Sequence, residues 1–289
     1  MKYSHFEVMS WYFKPAIKFQ ILPYFKGKEA ALMIPKGFPH QERSARMLRI
    51  GQVKDIDFLF NVTGFKSRRT LYNVFSSVAT YKDGIPIVPY RLSERQDLKS
   101  SWKKIHIDNM ESYDLFIDID GEHDTFEYTL KSAILIRDTL DEWLVPHRIR
   151  FSGKGFHFII PYMYFEGATM KYPDLISFNP LDEWNIYWLY SSIATGLREQ
   201  VSEMIDTSIY DARRLIKVPF SIAMYTKEFY ICMPINTREE LDDFDIRNYT
   251  LNHLKDKDND LRWHGDKLYN KDGHVMKLMM ETVPELKKG

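Results

Sequence analysis

The clearest pattern of apolar and polar positions lies in the middle of the chain. In "LFIDID", residues 115–120, apolar and acidic side chains alternate, which predicts a β-strand. Residues 125–144 repeat apolar side chains at near-helical spacing, which predicts a helix that begins after a cap at Asp124 and ends before Pro146. Directly after it, "RIRF" and "FHFIIPY" flank "SGKG" and predict two strands joined by a glycine turn.

Weaker patterns extend this order in both directions. "LYNVFSSVATYKDG" predicts a strand or short helix that ends in a turn at Asp83-Gly84, and residues 185–205 predict a second amphipathic helix. "RLIKVPF" and "FYICMPI" predict two further strands. Strands and helices therefore mix along the chain without a Pro/Gly/Ser linker, and the predicted fold class is α/β (α+β).

Apolar density falls and charge rises from residue 236 onward, which predicts a peripheral C-terminal helical tail. The predicted domains are a single compact catalytic unit over residues 1–235 and a charged helical extension over 236–289 that packs on it. The length of 289 residues is compatible with this division.

Composition narrows the possible partners. Forty basic residues balance forty acidic ones, so a site for a polyanion must be a local basic cluster. The single cysteine, Cys232, excludes an internal disulfide and a cysteine-based zinc site. The sequence has no apolar run of membrane-spanning length and no signal-peptide pattern, which predicts a cytoplasmic protein with no membrane partner.

Two aspartates in the predicted strand are the first candidate chemistry. Asp118 and Asp120 share one strand face, with Cα atoms about 6.5–7 Å apart, and burying their charges is costly without compensation. Carboxylate oxygens suit hard divalent cations, so the pair could bind one Mg²⁺ or two ions about 3.5–4 Å apart. The alternative is a solvent-facing pair at the end of a strand.

The glycine turn is the second candidate. Its two glycines would leave backbone N–H groups facing an anion, and Ser152 and Lys154 would add a hydroxyl and a positive charge. His157, in the following strand, could donate a hydrogen bond to a phosphate oxygen. The alternative is a tight hairpin with a satisfied histidine.

The third candidate is "IDTSIYDARRLIKVPFS", which offers the acids Asp206 and Asp211 and the basic residues Arg214 and Lys217. Such runs are often surface charges in solvent. Together, however, the three candidates supply the groups that nucleotidyl transfer needs. Acids would hold metal ions that activate a 3′-hydroxyl, and basic groups would hold a triphosphate in line.

"FIDID", "FSGKGFHF" and "MID" at 204–206 resemble the three ordered motifs of the archaeo-eukaryotic primase superfamily, which contains primase small subunits and primase-polymerases. Those motifs are hydrophobic-Asp-hydrophobic-Asp, Ser-x-His with glycines, and hydrophobic-Asp. The similarity covers roughly residues 60–235 and includes "RLIKVPFSI". The chain departs from the family in a shorter second motif, in Ala223 where a histidine is common, and in lacking zinc-binding cysteines.

The resemblance implies a role for each matching residue. It implies three catalytic, metal-binding acids, Asp118, Asp120 and Asp206, with Asp211 as the alternative third acid. It also implies a nucleotide-binding set: Ser152, Lys154, His157, Arg214 and Lys217. Two Mg²⁺ or Mn²⁺ ions are the implied cofactors.

The resemblance further implies a primase-polymerase core, with an RNA-recognition-like sheet that carries the acids and packs against a second α/β subregion. The implied partners are a DNA template and primer strand, NTPs or dNTPs, and a helical accessory subunit. "KSRR" at 66–69, Arg46 and Arg49 are candidate contacts to the strand backbone. A metal-dependent nuclease and a non-catalytic nucleic-acid-binding module are the alternative functions.

Overall fold

The structure is a computed structural model that describes residues 5–34, 46–52, 73–82, 104–120, 126–169, 177–182, 184–225, 228–257 and 266–288. The chain divides into two compact units, each assembled from separate stretches. The first contains Met1–Glu111, Leu215–Met233 and Asp245–Trp263, and the second contains Ser112–Arg214, Pro234–Phe244 and His264–Gly289. The second unit thus draws residues from both sides of the predicted boundary at 235, and the two predicted domains stay a prediction.

The described elements follow one another in a mixed order. The α-helices are α1 (His5–Phe13), α2 (Pro15–Ile21), α3 (Phe126–Glu142), α4 (Met163–Thr169), α5 (Ile186–Gln200), α6 (Arg238–Asp242), α7 (Leu251–Leu254) and α8 (Met276–Thr282). The strands are β1 (Ala30–Ile34), β2 (Arg46–Gly51), β3 (Val74–Ser77), β4 (Ala79–Tyr81), β5 (Met110–Tyr113), β6 (Leu115–Asp120), β7 (Arg148–Phe151), β8 (Gly155–Ile160), β9 (Leu215–Lys217), β10 (Ile222–Tyr225), β11 (Glu228–Ile231) and β12 (Met233–Ile235). Short 3₁₀ helices span Leu22–Phe25, Ile246–Tyr249 and Pro284–Lys288.

The first unit is built on a four-stranded sheet with the order β2-β1-β3-β9, in which the neighbouring strands run antiparallel. Helices α1 and α2 bury their apolar sides in the core of this unit. Two hydrogen bonds fix α1 there: the Trp11 indole N–H donates to the Phe220 carbonyl (2.8 Å), and the Ile222 N–H donates to the Tyr12 hydroxyl (2.8 Å).

The second unit is built on a four-stranded sheet with the order β12-β7-β8-β6, in which β8 runs antiparallel to both β7 and β6. Alternation gives its strands two different faces. One face is apolar and packs on α3, where Phe126 lies 6.2 Å from Phe151 and 6.1 Å from Phe156, measured between ring centroids. The other face carries Asp118, His157 and Arg150.

The predicted elements around the glycine hairpin are confirmed. The strand over 115–120, the long helix after it and the glycine hairpin are present as β6, α3, β7 and β8. The helix over 185–205 is shorter than predicted and ends at Gln200, because residues 202–206 turn back to pair with β6. The caps and turns predicted at Asp124 and Asp83-Gly84 lie outside the described residues.

The remaining strand predictions are confirmed in part. "RLIKVPF" contributes only Leu215–Lys217, because the chain turns at Phe220, whose φ is +65°. "FYICMPI" divides between β11 and β12. Past residue 236 the regular elements of the described chain are helical, as predicted. None of the helices in the described stretches has both the length and the apolar character needed to cross a membrane.

His147 is a fully buried titratable residue at the start of β7. Its ring stacks on Tyr269, with centroids 5.2 Å apart and planes 11° apart, and its Nδ1 lies 2.9 Å from the Val145 carbonyl. Burial lowers the pKa of His147 below its usual value, against the opposing effects of the Val145 carbonyl and the Asp141 carboxylate. The folded protein therefore keeps this imidazole neutral.

This pKa shift predicts a loss of stability in mild acid. Below about pH 6.5 the unfolded chain binds a proton that folded His147 does not, so stability falls as the pH falls. The contribution approaches about 1.4 kcal/mol per pH unit while only the unfolded state is protonated. We expect His147→Phe, which keeps an aromatic ring and cannot titrate, to flatten urea-unfolding stability between pH 7.5 and 5.5. Parallel profiles for the variant and the wild type would contradict this expectation.

Candidate active site

A row of charged side chains crosses the polar face of the second unit's sheet. Asp118 on β6 lies opposite His157 on β8, and His157 lies opposite Arg150 on β7. Residues that are directly opposite in antiparallel strands project from the same face. The row therefore places an acid, a histidine and an arginine side by side on three neighbouring strands.

The segment after α5 extends this row by a second acid. Ile205 forms an antiparallel bridge with Ile119, and the Asp206 N–H donates to the Asp118 carbonyl (3.0 Å). This pairing sets Asp206 opposite Asp118 at the free edge of β6, so both side chains belong to the same face. Two of the three predicted acids, far apart in the sequence, are thus neighbours in the fold.

Two tyrosines hold the acid-bearing segment against the sheet. The Tyr210 hydroxyl donates to the Phe116 carbonyl (2.9 Å), and the Tyr113 hydroxyl donates to the Asp211 carbonyl (2.9 Å). Burial raises the pKa of Tyr210 far above its usual range, and the negative charges of Asp118 and Asp206 raise it further. Tyr210 therefore remains protonated and keeps its hydrogen bond beside both acids.

Basic groups compensate the buried charge of Asp118, whose side chain is only 9% exposed. Its Oδ2 lies 3.4 Å from the Arg214 guanidinium, and its Oδ1 lies 3.5 Å from Nε2 of His157. Both basic side chains also contact Phe116: the His157 ring edge-on at 4.8 Å and the Arg214 guanidinium at 5.9 Å from the ring centroid. These contacts compensate for the cost of burying the Asp118 carboxylate in β6.

The other acids have different environments. The Asp120 side chain is 40% exposed and accepts a hydrogen bond from the Lys154 ammonium, an exposed pair that contributes little stability. Asp206 Oδ1 accepts from the Ser208 N–H (2.8 Å) and hydroxyl (2.6 Å). Asp211 Oδ1 accepts from the Arg213 N–H (2.8 Å). The adjacency to Asp118 favours Asp206 over Asp211 as the third acid, and that choice stays a prediction.

The glycine turn is a compact hairpin. Ser152 is fully buried, and its hydroxyl accepts from the Gly155 N–H (3.1 Å) while its own N–H donates to the Gly155 carbonyl (2.8 Å). Gly153 has φ of +98°, a conformation that favours glycine. The Gly155 N–H therefore donates its hydrogen bond within the turn. For this amide, the structure agrees with the tight hairpin that the sequence analysis gave as the alternative. The turn orients Lys154 toward Asp120.

The acids suit a divalent cation in chemistry but do not converge on one point. Carboxylate oxygens are the ligands that Mg²⁺ and Mn²⁺ prefer, and Asp118 and Asp206 are adjacent through their backbones. Across the described residues, no three His, Cys, Asp or Glu side chains form a group that could hold a metal ion. Their carboxylates instead contact Arg214, Lys154 and Ser208. Metal binding by this set would require those contacts to rearrange.

Other predicted residues belong to the first unit or are not described. Lys217 belongs to the first unit, on β9 opposite Phe75, so its predicted role stays a prediction. Arg49 forms an ion pair with the buried Glu29, which His106 also contacts (3.2 Å). A structural role thus accounts for Arg49, which the sequence offered as a strand contact. The side chain of Arg46 and residues 66–69 are not among those that the structure describes.

Sequence reasoning missed Arg150 and Tyr210. Arg150 stands opposite His157 and forms an ion pair with Asp266 (Nε to Oδ2, 2.8 Å). The alternation in "RIRF", combined with the short hairpin, would have placed Arg150 on the face of His157. Tyr210 gives no such signal, because its contact with Phe116 depends on how a distant loop folds back.

Comparisons with known proteins identify the fold. No protein-family model matches the chain, and no curated protein matches it. Among solved structures, the chain is similar to the polymerase domain from Mycobacterium tuberculosis Ligase D in complex with DNA. The two share 12% sequence identity over 95% of this chain and 91% of that chain, with a TM-score of 0.50. The chain thus has a mixed α/β fold of the primase-polymerase type, and the predicted fold class is confirmed.

Proposed function

We propose that this chain is a template-dependent nucleotidyltransferase of the archaeo-eukaryotic primase superfamily. As a DNA primase or primase-polymerase, it would join nucleoside triphosphates to a 3′-hydroxyl. The observation that carries the proposal is the adjacency of Asp206 and Asp118 on one sheet face, with His157 opposite Asp118. The likeness to a polymerase domain supports it at the level of fold alone.

Asp118, Asp120 and Asp206 would hold two divalent ions, Mg²⁺ or Mn²⁺. When bound, such ions lower the pKa of the attacking hydroxyl and stabilise the charge on the leaving pyrophosphate. The protein's own contribution is the placement of the backbone segments that carry Asp118 and Asp206. Asp118 is fixed in the centre of a strand, and the backbone pairing of residues 205 and 206 with β6 fixes Asp206 beside it.

The basic side chains near the acids would bind the triphosphate. Lys154 and Arg214 now pair with Asp120 and Asp118, respectively. A triphosphate offers these cations an alternative anionic partner, and their departure would free carboxylate oxygens for the metal ions. His157, buried and opposite Asp118, would donate to a phosphate oxygen. Ser152, beneath the turn, would maintain the position of Lys154.

The proposed partners follow from this chemistry. They are a DNA template, a primer strand, and NTPs or dNTPs. A helical accessory subunit stays a prediction from the family resemblance. The basic groups beside the acids distinguish this proposal from a metal-dependent nuclease, which would use the same carboxylates and needs no triphosphate site.

The direct test is nucleotide addition. Primed and unprimed templates would be incubated with labelled NTPs or dNTPs and with Mn²⁺ or Mg²⁺. We expect the wild type to lengthen the primer, and we expect Asp118→Ala/Asp120→Ala to be inactive while still binding the template. Shortened strands would indicate a nuclease. Template binding with neither extension nor de novo synthesis under any of these conditions would support the non-catalytic module and reject the proposal.

A further inference from the structure

The corner between α1 and α2 exposes aromatic side chains to solvent. Phe19 is 78% exposed and Phe13 is 43% exposed. Both helices bury their other sides, with Trp11 and Ile17 in the core of the first unit. Two large aromatic side chains exposed on consecutive helices are candidates for contact with a partner.

One lysine contacts an exposed ring, and a second lies over the buried ring of Trp11. The Lys18 ammonium lies 4.8 Å from the centroid of Phe13, and the Lys14 ammonium lies 5.6 Å from that of Trp11. Lys14 also donates a hydrogen bond to the carbonyl of Lys255, just after α7. That bond brings Lys255 and the exposed Lys257 beside the corner from about 240 residues away in sequence. We call Phe13, Lys14, Lys18, Phe19 and Lys255 the aromatic-basic surface.

The surface is basic although the chain as a whole is neutral. Between His5 and Ile34 the sequence has four lysines and two acids, Glu7 and Glu29. Glu29 is fully buried and forms an ion pair with Arg49, so it does not offset the surface charge. In the α7 segment, Asp256 lies between Lys255 and Lys257. The local charge therefore favours an anionic partner.

We propose that the aromatic-basic surface binds single-stranded nucleic acid. Exposed phenylalanine rings offer faces for base stacking, and flanking ammonium groups offer contacts to the phosphate backbone. A duplex keeps its bases stacked on one another, so it could use the lysines but not the rings. A protein partner would also bury the rings, but the positive charge of Lys14 and Lys18 favours an anionic strand. This inference extends the proposed function. The identification of the bound strand as a template rests on that proposed function.

The test measures binding without catalysis, by fluorescence anisotropy of a labelled oligo-dT with the full chain in EDTA. Stacking on one aromatic side chain accounts for about a 5- to 150-fold change in affinity, so we expect Phe19→Ala to weaken binding within that range. Phe19→Tyr should restore it. Lys18→Gln should reduce the slope of log affinity against log salt by about 0.7.

Tyr128→Ala is the matched control. Tyr128 is 66% exposed on α3 and lies 5.6 Å from the Lys131 ammonium, but that lysine forms an ion pair with Glu127. We expect this variant to bind oligo-dT as the wild type does. Equal losses for Phe19→Ala and Tyr128→Ala would overturn the proposal. An unchanged affinity of Phe19→Ala for oligo-dT would also overturn the proposal. The same holds if that variant loses binding to a protein partner but still binds oligo-dT.

Two further outcomes are decisive. Equal weakening of single-stranded and duplex binding by Phe19→Ala would reject stacking on this ring. If the wild type binds oligo-dT and Phe19→Ala weakens that binding, but the wild type adds no nucleotides, the result would support the surface while rejecting the proposed function. Failure of the two proposals is therefore distinguishable.

Discussion

Asp206→Asn is expected to reduce the rate of nucleotide addition by on the order of 10³-fold or more, because it removes one of the three carboxylates proposed to hold the metal ions. The substitution keeps the local fold. An asparagine oxygen can still accept the hydrogen bonds that Ser208 donates to Asp206 Oδ1, and the backbone bond to Asp118 does not involve the side chain. The measurement is single-nucleotide primer extension at saturating template.

Asp211→Asn is the control for this loss. Asp211 also accepts a hydrogen bond from the N–H two residues ahead, so the two substitutions make the same chemical change in similar turns. We expect Asp211→Asn to retain activity within about tenfold, because Asp211 lies outside the pairing with β6. The reverse result would make Asp211 the third acid. Full activity of both variants would refute the three-acid site.

Gly155→Ala is expected to destabilise the second unit by at least about 3 kcal/mol. A Cβ at this position would lie 1.8 Å from the Ile119 carbonyl oxygen and 2.9 Å from the Ile119 carbonyl carbon. Both atoms belong to the β6 backbone, which cannot move aside as a flexible side chain can. The two strands would have to separate beside Asp120, so activity should fall together with the urea midpoint.

Gly153→Ala, in the same turn, provides the comparison. Its φ of +98° disfavours alanine by about 1–2 kcal/mol through backbone strain. We expect a smaller loss of stability than for Gly155→Ala, and hydrogen exchange in β6 and β8 should remain close to that of the wild type. A larger effect at Gly153 would show that strain in the turn, rather than close strand packing, limits stability here.

Local patterns were sufficient for the elements that carry the site. The alternation in "LFIDID" fixed which side chains share a face, and Leu115, Ile117 and Ile119 are all fully buried. The glycine hairpin was equally clear, because a short turn leaves few possible registers. These are properties of neighbouring residues, which a sequence displays directly.

The contacts that complete the site are non-local. The pairing of Ile205 with Ile119 joins positions that are 86 residues apart, and no local preference encodes it. The end of α5 at Gln200 follows from the same pairing. Lys154 and Arg214 were predicted to face a triphosphate, yet here they pair with Asp120 and Asp118, since a buried or clustered carboxylate attracts the nearest cation.

The position of β6 at the end of its sheet has a consequence for solubility. An uncovered strand edge presents backbone groups that can pair with another chain and start aggregation. Residues 205 and 206 cover part of this edge, at the end of β6 that carries Asp118. The pairing of residues 205 and 206 with β6 therefore both brings Asp206 beside Asp118 and covers part of the β6 edge. An attempt to shorten or loosen the 201–214 loop should produce a protein that aggregates as well as one that is inactive.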